Sequence, residues 1–236
     1  MLIQRTIVYR NSQINRLVKR DASILYDVEI AGGQMTHPFF FGYGSLVNRN
    51  THTYDESRPA RVKGWRRQWR HTSLREVAYL TVHEAPGHEI DGLIAAVPHG
   101  DWQALDAREH AYDRLHLMGD HVDHDHPEDI LVHMYKTSPG NDAHPSVRHP
   151  ILQSYLDTVI LGYINVFGEA GAHHFFETTD GWDSPVLDDR AEPIYPRFVT
   201  PSLKEKAFID NHLDAYHATR IRRLDKTQSA ELWRDK

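Results

Sequence analysis

The stretch Phe39-Phe40-Phe41-Gly42-Tyr43-Gly44-Ser45-Leu46 and the acidic residue Glu109 hold the side chains of this sequence best suited to chemistry. Two glycines around a tyrosine permit positive φ and close backbone approach, so main-chain N–H groups at Gly44, Ser45 and Leu46 can point outward together. Such a cradle suits a carboxylate, a phosphate or a developing oxyanion. The same residues also serve an ordinary turn from strand to helix. Glu109 follows Trp102 and Leu105 at the i, i+3, i+7 spacing that shares one helix face, and Tyr112 stands three residues further on. On an apolar face the charged carboxylate is disfavoured, which raises its pKa toward that of a proton shuttle. An ion pair with Arg108 or Arg114 is the plainer role for the same side chain.

Other reactive groups point to less. The run His121-Val122-Asp123-His124-Asp125-His126 invites a metal, but it has no i, i+4 pair and ends at Pro127, the pattern of a solvated loop. Arg61, Lys63, Arg66, Arg67 and Arg70 interleave with Trp65 and Trp69. With a formal charge of −6, that reads as a half-buried strand with one charged face, not as a nucleic-acid groove. There is no cysteine, which excludes thiol nucleophiles, disulfides and cysteine zinc sites and accords with a cytoplasmic location. No run approaches the roughly 20 apolar residues of a membrane helix. Ser45 is followed by Leu46-Val47, not by the x-Gly of a nucleophile elbow.

The elements that must position these groups follow in order. Phe39–Phe41, after Pro38, read as a short strand buried on both faces. Residues 59–70 form a long strand kinked at Gly64. Val77–Val82 and Ile90–Val97 are expected to pair antiparallel across a turn at Glu84–His88. Asp101 can cap a helix running from Trp102 to Tyr112. Ile130–Lys136 is the last substantial strand. Leu152, Tyr155, Leu156, Val159 and Tyr163 make the apolar stripe of a helix. A segment from Thr179 to Pro201 wraps back over the body, and Ser202 caps a final helix containing Phe208, Ile209, Leu213 and Tyr216. The 236 residues suit one domain with an appendage. Residues 1–34, basic up to Asp21 and ending near Ala31-Gly32-Gly33, read as that appendage, or alternatively as an extension upstream of a natural start at Met35. Residues 35–222 are the domain and residues 223–236 a charged tail.

Three stretches, in this order, resemble the γ-glutamylcyclotransferase superfamily on its ChaC-like and AIG2-like side: Phe41-Gly42-Tyr43-Gly44-Ser45-Leu46, then Ala60-Arg61-Val62-Lys63-Gly64-Trp65-Arg66-Arg67, then Leu105-Asp106-Ala107-Arg108-Glu109-His110-Ala111-Tyr112. The resemblance implies an α+β fold, a small mixed β-barrel-like core with surrounding helices and a helical C-terminal extension. It implies that Tyr43, Gly44, Ser45 and Leu46 hold a γ-glutamyl group, with Tyr112 beside them, and that Glu109 is the general acid/base. The implied reaction expels an amine or amino acid from a small γ-glutamyl substrate and leaves 5-oxoproline. No metal or other cofactor, nucleic acid or membrane is expected to take part. Val47-Asn48 stand where glutathione-specific members carry tryptophan and proline, and Thr72–Glu76 replace an expected glycine-rich loop, so the substrate stays open. A non-catalytic module of the same fold that binds γ-glutamyl or amino-acid-like ligands is the alternative.

Overall fold

Phe39, Phe40 and Phe41 are fully buried in β1 (Pro38–Gly42), the central strand of a mixed sheet. The computed structural model describes residues 38–72, 75–97, 101–138 and 149–222. The chain divides into Met1–Met35 and Thr36–Lys236; the first unit, with the expected appendage, residues 139–148 and the expected tail from 223, lies outside the described residues. Strand periodicity splits the three rings between two cores. Phe39 and Phe41 join Val62, Trp69, Leu80, Ile94 and the helical side of the domain, whereas Phe40 faces Leu46, Trp102, Leu105 and Tyr135.

The other strands of this sheet are β2 (Arg58–Thr72), β3 (Arg75–Ala96), β4 (Tyr112–His116), β5 (Val122–His124) and β6 (Leu131–Thr137), in the spatial order β4-β6-β1-β3-β2-β5. A short β8 (Thr179–Asp180) pairs with β2 off this path. β1 runs antiparallel to β3 and parallel to β6. Among the described residues the two ends of the sheet do not meet, so the mixed core is an open sheet and not a closed barrel. A second sheet joins β7 (Ile151–Leu152), β9 (Val186–Leu187) and β10 (Arg220–Ile221) in parallel.

The expected pair Val77–Val82 and Ile90–Val97 is instead one strand. β3 pairs with β2 along nearly its whole length, and Glu84–His88 makes no reversal. Lys63 faces Glu89 and Trp65 faces Glu84, so residues 85–88 stand opposite Gly64 alone. Gly87 (φ 82°) and Gly64 (φ 84°) absorb this wide bulge. The bulge also switches which face of β2 is buried. Ala60 and Val62 point inward before Gly64; Arg67 and Trp69 do so after it. Arg67 therefore leaves the charged face expected for it and is fully buried. Its Nη1 donates to Thr178 Oγ1 (2.7 Å), its Nη2 donates to the Tyr163 hydroxyl (2.8 Å), and its guanidinium lies over the Phe175 ring at 4.8 Å.

Among the described residues three α-helices pack around the sheet. α1 (Gln103–Arg108) is short, α2 (Gln153–Glu177) is kinked at Gly168 (φ 72°, ψ −177°), and α3 (Leu203–Ala215) begins with a capping box in which Ser202 and Glu205 bond each other's backbone. The stripe read on α2 is too narrow, because residues 156–163 are buried all round. Its second half, with Phe175 and Phe176, reaches Trp182 and α3.

Candidate active site

The turn after β1 is a 3₁₀ turn, Ser45–Val47, closed by Val47 N–H donating to the Gly44 carbonyl (3.0 Å). A second, Arg49–Thr51, follows directly. Neither glycine of the turn has positive φ; both are required by crowding. A Cβ at Gly42 would lie 2.5 Å from Leu46 Cβ, and one at Gly44 would lie 2.8 Å from the Tyr155 hydroxyl. Buried Asn48 fastens the turn to α2 by donating from Nδ2 to the Thr158 carbonyl (2.8 Å), across a contact that admits only glycine at 162. From below, the Tyr43 hydroxyl donates to the Tyr135 carbonyl (2.6 Å), and the Tyr163 hydroxyl lies 2.9 Å from the Tyr43 carbonyl. The turn is held on three sides.

Glu109 approaches from the opposite wall. The helix expected to carry it to Tyr112 ends at Arg108, and Glu109 is its C-cap (φ −103°, ψ 29°). Asp101 does accept a bond from Gln103 N–H at the other end (2.9 Å). The early stop has a clear cause. Tyr112–His116 pair antiparallel with β6, Tyr112 opposite Thr137, so sheet pairing takes over the backbone three residues after the C-cap Glu109. Tyr112 therefore sits on a strand, with its hydroxyl donating to the Leu80 carbonyl (3.0 Å).

Glu109, Tyr112, Tyr43, Gly44, Ser45 and Leu46 all line one small cavity of about 40 Å³. Ser45, Glu109, Tyr112 and Tyr155 also line a larger one of about 120 Å³, whose wall continues through Arg108, Tyr195 and Arg197. Both open on the same cleft between the turn and the end of α1. Burial raises the Glu109 pKa, against the pull of Arg108 and then Arg197. Arg108 Nε sits 3.1 Å from Glu109 Oε1, so the plainer ion-pair role is present as well. Arg108 is further tied to the Thr51 carbonyl (3.2 Å) and Ser45 Oγ (3.4 Å), bridging the two walls. The phenols of Tyr112 and Tyr155 are pushed well up, chiefly by burial, and stay neutral donors beside the carboxylate.

Several lining residues were not singled out as site residues from sequence: Arg108, Tyr155, Tyr195 and Arg197. Tyr155 lies on the helical stripe and was indistinguishable from core. Tyr195 and Arg197 come from the segment after β9, which two polar clamps hold against α2. Asp189 accepts from Ser154 N–H (2.7 Å) and Ile194 N–H (2.9 Å). Arg190 binds Asp157 in bidentate fashion (2.7 and 2.8 Å) and also Asp210 (2.8 Å). The concentration of charge in Asp188-Asp189-Arg190 was the available signal. Of the histidine run, His126 is tucked against Phe39 (ring centroids 4.9 Å apart) and Glu56, and no metal-binding group of three ligands occurs among the described residues.

Fold and cleft together define an α+β domain with a small pocket between a glycine turn and a partly buried carboxylate. Residues 40–151 match the family model described as "Gamma-glutamyl cyclotransferase, AIG2-like", so over this stretch the chain is similar to that family. Among solved structures, one titled "Gamma-glutamyl cyclotransferase" is 15% identical, covering 74% of this chain and 98% of its own, with a TM-score of 0.46. An uncharacterized protein from Homo sapiens is 14% identical over 73% and 97%, with a TM-score of 0.47. A γ-glutamyl cyclotransferase specific to glutathione, from yeast, is 13% identical over 77% and 97%, with a TM-score of 0.40. No curated protein matches the chain. Among the described residues, no helix is long and apolar enough to cross a membrane.

Proposed function

We propose that this protein is a γ-glutamylcyclotransferase in which Glu109 moves the proton. The observation that carries the reading is the placement of one largely but not fully buried carboxylate, with its pKa raised by desolvation, across a small cavity from the Tyr43–Leu46 turn. A γ-glutamyl amide contains its own nucleophile. Ionised Glu109 takes a proton from the substrate's α-ammonium, and the freed amine attacks the γ-carbonyl carbon to close a five-membered ring. The bond to the departing nitrogen then breaks as Glu109 returns its proton to that nitrogen, and the ring nitrogen gives up its second proton, which the released amine carries away as an ammonium; 5-oxoproline and the amine leave and the enzyme is unchanged. Ring closure within one molecule supplies the proximity contribution, about 7–11 kcal/mol in well-oriented cases. The turn has only to hold the substrate's carboxylate or the developing oxyanion, and Ser45 and its neighbours are the residues for that task.

Incubation with γ-glutamyl amino acids, γ-glutamyl amines and glutathione, following 5-oxoproline, tests the reading. Glu109→Gln is expected to lose turnover by about 10²–10⁴-fold, the usual contribution of a positioned acid/base, while still binding substrate. Turnover equal to wild type removes Glu109 from the chemistry. The Arg108 ion pair favours the second reading, a binding module. That reading predicts saturable binding of γ-glutamyl ligands and no 5-oxoproline from any of them.

A further inference from the structure

Two arginines reach the cleft, and they are not equivalent. Arg108 is committed: Glu109, the Thr51 carbonyl and Ser45 Oγ share its donors. Arg197 is exposed at the wall of the larger cavity and forms no ion pair or side-chain hydrogen bond with any described residue. Its field nevertheless reaches Glu109 and Tyr54. With Arg108 and Glu109 offsetting each other, the cavity wall keeps one uncompensated positive charge. The backbone beneath that charge is fixed. Tyr195 N–H donates to Ser154 Oγ (3.2 Å), Val199 N–H donates to Thr158 Oγ1 (3.1 Å), and Phe198 N–H closes a turn onto the Tyr195 carbonyl (3.1 Å). Tyr155 and Tyr195 pack edge to face beside it (ring centroids 5.0 Å apart).

We propose that Arg197 is the subsite for a carboxylate on the departing half of the substrate, so that the cleft selects γ-glutamyl derivatives of α-amino acids over those of simple amines. This rests on the cyclotransferase reading. An α-amino acid carries its carboxylate two bonds from the nitrogen that Glu109 protonates, and a cavity of about 120 Å³ has Glu109 and Arg197 in the same lining. A guanidinium with uncommitted donors matches a carboxylate in both charge and shape. With the γ-glutamyl head held at the turn, a carboxylate at Arg197 stretches the substrate across the cleft, with the scissile bond at Glu109 between the two contacts.

γ-Glutamylalanine and γ-glutamylethylamide differ only by that carboxylate. Wild type is expected to favour γ-glutamylalanine in kcat/KM by about tenfold, the lower range for a charge-assisted hydrogen bond. Arg197→Gln is expected to collapse the ratio toward one, and Arg197→Lys to restore part of it. A ratio unchanged in Arg197→Gln overturns the proposal. Absence of 5-oxoproline from both compounds removes the cyclotransferase reading alone, because calorimetry in the Glu109→Gln background then decides the subsite without turnover. About tenfold tighter binding of γ-glutamylalanine, lost on adding Arg197→Gln, supports it. Equal affinities, or no binding of either compound, overturn it.

Discussion

At the scale of single residues, Glu109 sets stability against use. Its folded pKa lies above the ordinary value of 4.5, so the native state holds this proton more tightly than the unfolded chain does. The stability tied to it is fully present below pH 4.5 and is lost as pH rises through the folded pKa. A neutral glutamine escapes that loss. Glu109→Gln is therefore expected to gain in unfolding temperature relative to wild type between about pH 4 and about pH 7, as read by calorimetry at both. A difference that stays constant or shrinks across that range contradicts burial as the dominant influence on Glu109. The presence of a carboxylate near apolar neighbours was legible in the sequence from the spacing of Trp102, Leu105 and Glu109. Its true setting was not. A helix C-cap and a strand start three residues apart leave no glycine or proline to announce them, because the pairing partner that ends the helix, β6, comes some twenty residues later.

At the scale of elements, the turn after β1 works by crowding, and its glycines are tests of that. Gly44→Ala is expected to cost about 1–3 kcal/mol, since its Cβ meets the Tyr155 hydroxyl and not empty space. Adding Tyr155→Phe should recover part of the loss, measured from denaturant midpoints of the two single variants and the double. Purely additive effects mean that the glycine answers to something other than Tyr155. The strands show where sequence reading stops at this scale. β1, β6 and the kink at Gly64 were legible because apolar runs and a lone glycine carry local meaning. The continuity of β3 was not, for Glu84-Ala85-Pro86-Gly87-His88 has turn chemistry and only the register with β2 shows it spent on a bulge. That bulge is what carries Arg67 into the core.

At the scale of the molecule, the family-matched stretch ends at residue 151, yet the cleft does not. Tyr155, Tyr195 and Arg197 all come later, and so do Val159, Tyr163, Phe175 and Trp182 of the main core. A chain cut after residue 152 is thus expected to lose cooperative unfolding, seen as the absence of a sigmoidal urea transition and of near-ultraviolet dichroism. A cooperative transition in that fragment would show the sheet to be self-sufficient. The clamps on Asp157 and Asp189 also set an order of events during synthesis. Residue 197 follows residue 109 by 88 positions, which at about 5–20 residues per second leaves an interval of roughly 4–18 seconds on the ribosome. Through that interval the wall formed by Tyr155, Tyr195 and Arg197 has yet to be laid against Glu109. Asp189 and Arg190 then lock that wall onto α2. A nascent chain in this way completes the cleft only after residue 197 has been made.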